Sequence, residues 1–209
     1  MNKNIINNTQ QDMTGLKPIR SALISVFHKD GLDELLPMLH EQGVRLLSTG
    51  GTQAYIESLG LPCQRVENLT SYPSILGGRV KTLHPKVFGG ILARRDNPED
   101  QAEMTKYAIA PIDLVVVDLY PFEQTVREGA SEQDIIEKID IGGISLIRAA
   151  AKNFHDVVIV PSRDDYARLK SILREHGAKS TLEERRELAT RAFGVSSSYD
   201  TAIHNWFNK

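Results

Sequence analysis

Apolar positions along the chain recur with two spacings, and the order of those spacings predicts the architecture. Ala22 to Val26 is a short apolar run that ends near Lys29 and Gly31, and Leu32, Leu35, Leu36 and Leu39 follow at intervals of three and four. Such a switch predicts a strand and then a helix. Pro37 lies inside the helical pattern, where its missing N–H should remove one hydrogen bond and bend or interrupt the helix. Val44 to Leu47 predicts a second strand, and Thr49-Gly50-Gly51-Thr52 opens a helix carrying Ala54, Ile56 and Leu59. Later, Leu114 to Val117 is almost purely β-branched, as suits a strand covered on both faces of a parallel sheet, and Val157 to Val160 is a second such run. Ser131 with Asp134 resembles a capping box ahead of Ile135, Ile136 and Ile139, and Thr181 with Glu184 opens a last helical stretch toward Phe207. The sum predicts an α/β domain over residues 19–209, with a mainly parallel sheet flanked by helices and a C-terminal helical tail over about 181–209. Residues 1–18 show no such pattern and are expected to form a disordered polar leader.

Bulk properties narrow the classes of function. A chain of 209 residues that is 41% hydrophobic can bury a core of ordinary size. Its 25 Lys and Arg against 27 Asp and Glu give a net charge of −2, which supplies no general field for nucleic acid, so an anionic ligand must be held by local groups. Cys63 is the lone cysteine; it excludes an intramolecular disulfide, offers no metal-ligand spacing and suits a cytoplasmic setting. No apolar run reaches the roughly 20 residues that span a bilayer, and the Asn/Gln-rich start from Met1 to Gln11 lacks the apolar segment of a signal peptide. Neither a membrane nor nucleic acid is expected as a partner.

Several glycine-rich or basic turns carry candidate chemistry. In open α/β sheets ligands gather outside the carboxyl ends of strands, where helix N-termini present free N–H groups. The turn Thr49-Gly50-Gly51-Thr52 falls there: its glycines let backbone approach an anion and its hydroxyls add donors, which suits a phosphate. A tight strand-to-helix turn with Thr52 as N-cap is the plain structural alternative. Ser25 and Lys29 close the first strand at the same edge. Gly77-Gly78-Arg79-Val80-Lys81-Thr82-Leu83-His84-Pro85 packs two cations, a hydroxyl and an imidazole into a stretch without helix or strand period, as functional loops do. His84 itself reads as a structural hydrogen-bonding group before Pro85. Asp140-Ile141-Gly142-Gly143 is a second diglycine turn, with a helix after it that runs through Arg148 to Lys152; a capping role for Asp140 is the alternative. Tyr120, just past the apolar strand, is either a core aromatic or a hydroxyl at the ligand edge.

With these turns in view, GGRVKTLHPKVFGGILARR (Gly77 to Arg95), DLYPF (Asp118 to Phe122), IDIGG (Ile139 to Gly143) and AAAKN (Ala149 to Asn153), in that order after STGGT (Ser48 to Thr52), closely resemble the IMP cyclohydrolase family over about Ile19 to Phe207. The resemblance implies a methylglyoxal synthase-like fold and a domain that is normally the N-terminal part of a bifunctional purine-biosynthesis protein, followed by a larger transformylase domain. The chain stops near the end of the first domain, so cyclohydrolase activity without formyl transfer is expected. The implied reaction is the dehydrative ring closure of 5-formamido-4-imidazolecarboxamide ribonucleotide to IMP, the last step of de novo purine biosynthesis, with no cofactor and no metal. Motif matching places Lys81, Tyr120, Asp140 and Lys152 at the reacting ring, with Asp140 and Lys152 paired for proton movement and Lys81 and Tyr120 polarising the formyl group. It places Ser25, Lys29, Gly50, Gly51, Thr52, Arg79, Thr82, Gly142 and Gly143 around the nucleotide.

One tension is internal to this assignment. A continuous helix from Ile144 to Lys152 is about 12 Å long at 1.5 Å per residue, which strains contact between Lys152 and Asp140 unless the helix ends early or the turn folds back. The chain also departs from the family pattern. Phe27-His28 stands where many members have Ser-Asp before the first lysine, and Asp118 stands where they have Asn. The partners implied are a small ribonucleotide, the transformylase domain in a full-length protein, and a second copy in a homodimer. A non-catalytic nucleotide-binding module and a methylglyoxal synthase-like lyase share the fold and are the alternatives.

Overall fold

The computed structural model describes residues 15–208, and most of the expected leader lies outside them. Where the leader was expected to end, Lys17–Pro18 (β1) instead pairs antiparallel with Lys179–Ser180, so regular structure begins before Ile19. The chain continues through Ser21–Val26 (β2), Leu32–Glu41 (α1), Arg45–Ser48 (β3), Gly50–Ser58 (α2), Cys63–Arg65 (β4) and Val66–Thr70 (α3). Pro85–Leu92 (α4), Pro98–Lys106 (α5), Leu114–Asp118 (β5), Phe122–Arg127 (α6), Glu132–Ile136 (α7) and Ile141–Lys152 (α8) follow. The chain closes with Val158–Val160 (β6), Tyr166–His176 (α9), the strand Lys179–Ser180 (β7) and Leu182–Phe207 (α10).

The main sheet has the order β4-β3-β2-β5-β6, and every neighbouring pair is parallel. The strand order therefore reverses direction between β2 and β5, and in such sheets the crevice outside the carboxyl ends at that switch is where ligands bind. Register pairs Val26 with Asp118 at this edge. Leu114 to Val117 are fully buried, the consequence of helices on both faces, and α10 packs on α8 and β6. α1 runs through Pro37 without interruption. Leu32, Leu35, Leu36 and Leu39 on that helix are all fully buried, and their burial outweighs the one hydrogen bond that proline removes.

Two elements differ from the pattern-based expectation. The aperiodic basic stretch is not loop to its end: His84 accepts a hydrogen bond from the Lys86 N–H at 3.1 Å as an N-cap, and Pro85 begins α4 at the one helical position proline favours. The helix after Ser131 ends at Ile136, so Ile139 lies beyond it. At the chain's end the reciprocal capping box of Thr181 and Glu184 is formed, and it opens a helix of 26 residues. That tail also supports the sheet edge, because the Tyr199 hydroxyl accepts from the Asp140 N–H at 2.7 Å and donates to the Lys138 carbonyl at 2.8 Å. Burial lifts the Tyr199 phenol to about 12, so it stays a hydrogen-bonding hydroxyl throughout the neutral range. Among the described residues no helix is long and apolar enough to cross a membrane.

Candidate active site

A cavity of about 720 Å³ opens at the carboxyl ends of β2 and β5. Ser25, Lys29, Gly51, Thr52, Arg79, Lys81, Thr82, Tyr120, Asp140, Gly142 and Gly143 all line it, so five separate stretches of chain converge on one space. Gly50 stands just behind: a Cβ built there would lie 3.7 Å from the Lys81 ammonium. Of the candidates drawn from the sequence, one is elsewhere.

That exception is Lys152. α8 is continuous from Ile141 to Lys152, with Asp140 as its N-cap, and twelve residues at 1.5 Å each separate the ends by about 18 Å. Lys152 lines a second cavity beside Lys17, Arg94, His155 and Asp156. The expected pairing of Asp140 with Lys152 is therefore not formed, because the helix neither ends early nor folds back. Asp140, the member beside Lys81, is the one retained.

The corner near α2 carries the anion-binding features. No side chain caps α2, which leaves its first N–H groups toward the cavity. Neither threonine hydroxyl is spare, contrary to the simplest expectation. Thr49 donates to Glu67 at 2.5 Å, and Thr52 donates to the Val26 carbonyl at 2.9 Å, tying the turn to β2. Lys29 donates to the carbonyls of Val26 and Phe27 at 2.6 and 2.9 Å, and burial lowers its pKa despite the opposing pull of Asp118. Gly78, at φ 91°, leaves room for Lys81, since a Cβ there would meet the ammonium at 3.4 Å.

At the other end Asp140 combines capping with a buried charge. Its carboxylate accepts from the Gly143 N–H at 2.7 Å, and the nearby backbone N–H groups of Tyr120 and Gly142 favour its charged form. Burial raises its pKa above the ordinary carboxylate value, against the lowering effect of those donors and of Lys81. Gly143 leaves room for this arrangement, because a Cβ there would force the Asp140 carboxylate and the Leu119 side chain to shift. Tyr120 is raised as well, by burial first and then by the Asp140 charge. Its ring meets Phe27 edge-on at 5.1 Å, and the Lys138 ammonium stands 5.3 Å from the Phe27 ring centre. Lys138 and Glu137, which pairs with Arg79, are neighbours that pattern alone did not single out. Their place comes from the short turn after α7, whose ends give no periodic signal. Among the described residues, the one His/Asp/Glu group with metal-ligand spacing is Glu175, His176 and Glu184, and none of these lines the cavity.

Comparison with known proteins places the chain in a family. Residues 31–145 match the family model of the MGS-like domain, and residues 150–209 match that of the AICARFT/IMPCHase bienzyme. The bifunctional purine biosynthesis protein PurH of Bacteroides thetaiotaomicron is 65% identical over 196 residues, which is 94% of this chain and 39% of that protein. PurH of Rhodospirillum rubrum is 50% identical over 190 residues, 91% of this chain and 36% of that protein. The chain thus spans well under half the length of these curated relatives. Among solved structures, the crystal structure of ForH superposes with a TM-score of 0.74 at 35% identity, covering 90% of this chain and 97% of that one.

Proposed function

We infer, for a chain that belongs to the MGS-like domain family, that the cavity between β2 and β5 is the active site of an IMP cyclohydrolase. The observation that carries this reading is the meeting, in one cavity, of an uncapped helix N-terminus with Lys29, of Tyr120 and Asp140, and of Lys81 between them, its ammonium 3.7 Å from where a Cβ on Gly50 would lie. A ribonucleotide has the matching polarity, with a dianionic phosphate at one end and a reactive heterocycle at the other.

The substrate is 5-formamido-4-imidazolecarboxamide ribonucleotide. Its carboxamide nitrogen bonds to its own formyl carbon, the formyl oxygen gains two protons that the nitrogens give up, and water departs to leave IMP. An amide nitrogen is a poor nucleophile, so holding both groups in a near-attack rotamer supplies much of the acceleration. Asp140 accepts the carboxamide proton; its raised proton affinity suits it to hold that proton until the oxygen leaves. Lys81 and the Tyr120 hydroxyl donate to the formyl oxygen as negative charge develops on it. The part assigned jointly to Lys152 falls to Asp140 alone. No step requires a metal or a cofactor. In a longer protein of the PurH kind a transformylase domain would follow this one, a second copy is a further partner, and a cytoplasmic setting fits the chemistry.

An ultraviolet assay tests the reading. The purified chain, given the formamido ribonucleotide in the presence of a chelator, should generate the IMP spectrum. An unchanged spectrum together with measurable IMP binding would instead identify a nucleotide-binding module without turnover.

A further inference from the structure

Asp118 presents a carboxylate in the cavity wall, which Glu137 and Asp140 also line, and the structure shows what restrains it. Asp118 Oδ2 accepts from the His28 N–H at 2.9 Å and from His28 Nδ1 at 2.8 Å, while Arg163 stands 3.6 Å from Oδ1. Arg163 is itself shared with Asp30 at 3.0 Å. His28 directly precedes Lys29, the cation at the phosphate corner, and the Phe27 N–H bonds to the Asp118 carbonyl at 3.0 Å. The segment that delivers Lys29 to the cavity is thus fastened to Asp118 by backbone and side chain together. His28 and Asp118 touch one another across 90 residues of chain.

We propose that His28 and Asp118 form one positioning unit, in which the two hydrogen bonds from His28 hold the Asp118 carboxylate aside so that an anionic nucleotide can occupy the cavity. The effect is electrostatic. With Oδ2 released from His28 and only Arg163 left at Oδ1, the carboxylate would be free to turn into the cavity and repel a phosphate dianion there, and at partly buried separations such repulsion is worth roughly a factor of ten in affinity. His28 in turn needs Asp118 only as its acceptor. The two positions should therefore tolerate joint replacement better than loss of the histidine alone. The proposal rests on the anion-binding part of the functional reading and not on ring closure itself.

A double-mutant cycle read by IMP titration calorimetry tests it, with each variant's thermal unfolding confirming that it folds. His28→Ala should weaken IMP binding roughly tenfold, and the deficit should shrink at high salt. Asp118→Asn should bind within about twofold of the parent, and His28→Ala/Asp118→Asn should return to within about threefold. Equal weakening in the single histidine variant and the double variant would overturn the unit, as would a deficit indifferent to salt, since either means that His28 acts by shape. If the parent binds IMP but closes no ring, the proposed reaction fails while the cycle still decides this unit. If the parent binds no IMP at all, both fall.

Discussion

One helix, α8, contributes to two very different places. At its N-terminal end Asp140 caps Gly143, lies against Lys81 and Tyr120, and carries a carboxyl whose pKa burial has raised. At its C-terminal end Asn153 donates to the carbonyls of Ile91 and Ala93 at 2.8 and 3.1 Å, locking the helix to the end of α4, and Lys152 sits in the last turn, where a cation complements the helix dipole. Both ends belong to motifs by which the family is recognised. Shared motif status therefore does not imply a shared place: one end lines the cavity proposed as the active site, and the other is fastened to the scaffold. A straight helix acts as a ruler between them.

The difference can be broken most severely at Gly143. Gly143→Ala forces a methyl into the Asp140 carboxylate and Leu119, so ring closure should fall by more than about 100-fold while overpacking costs roughly 1–3 kcal/mol in denaturant unfolding. Next in size is the phosphate corner. Lys29→Ala removes a contact that substrate and transition state share, so KM should rise roughly tenfold with kcat nearly constant; a fall in kcat at unchanged KM would move Lys29 to the reacting end. At the far end of α8 the pattern should invert. Asn153→Ala leaves two carbonyls without their donor and should cost about 1–3 kcal/mol of stability, yet kcat should stay within about threefold of the parent, and the same limit applies to Lys152→Ala.

The smallest effect concerns pH. Because the folded-state pKa of Asp140 is raised, the native protein keeps a proton there over a window in which the unfolded chain has lost it. Stability from this group is therefore present below the unfolded value and is lost as pH rises through the higher folded one. Asp140→Asn, which retains a good N-cap, should melt at or slightly above the parent at neutral pH, with the gap closing in acid. In the parent the acid limb of kcat/KM should lie above the ordinary carboxylate range. A parent that gains stability across that window would reverse the assignment.

Much of this is legible in the sequence. The β-branched runs at Leu114 and Val157 and the leucines of α1 marked strand and helix because burial on two faces, or on one, leaves those periods in the residues. β4 was not visible, since Cys63–Arg65 is three residues long and only one of them is apolar. The start of α4 was signalled by Pro85 but masked by Gly89 and Gly90, whose smallness answers to tertiary packing: a Cβ on Gly90 would meet the Ala110 carbonyl at 2.5 Å. The site turns were legible as glycine and charge in aperiodic stretches. The contact of His28 with Asp118 was not, because it joins residues 90 apart and follows from strand register. The expected pairing of Lys152 with Asp140 does not form because motif order says nothing of distance, and the residue count along the helix already spoke against it.

The central claim, that the N-terminal end of α8 carries the proton transfer, is tested most directly by single-turnover ring closure with Asp140→Asn beside a calorimetric titration of IMP. The account predicts a rate lower by roughly 10²- to 10³-fold with IMP affinity within about threefold of the parent. Ring closure at the parental rate would contradict it, and so would a loss of IMP binding as large as the loss of rate, for then Asp140 would be only the cap that shapes the cavity.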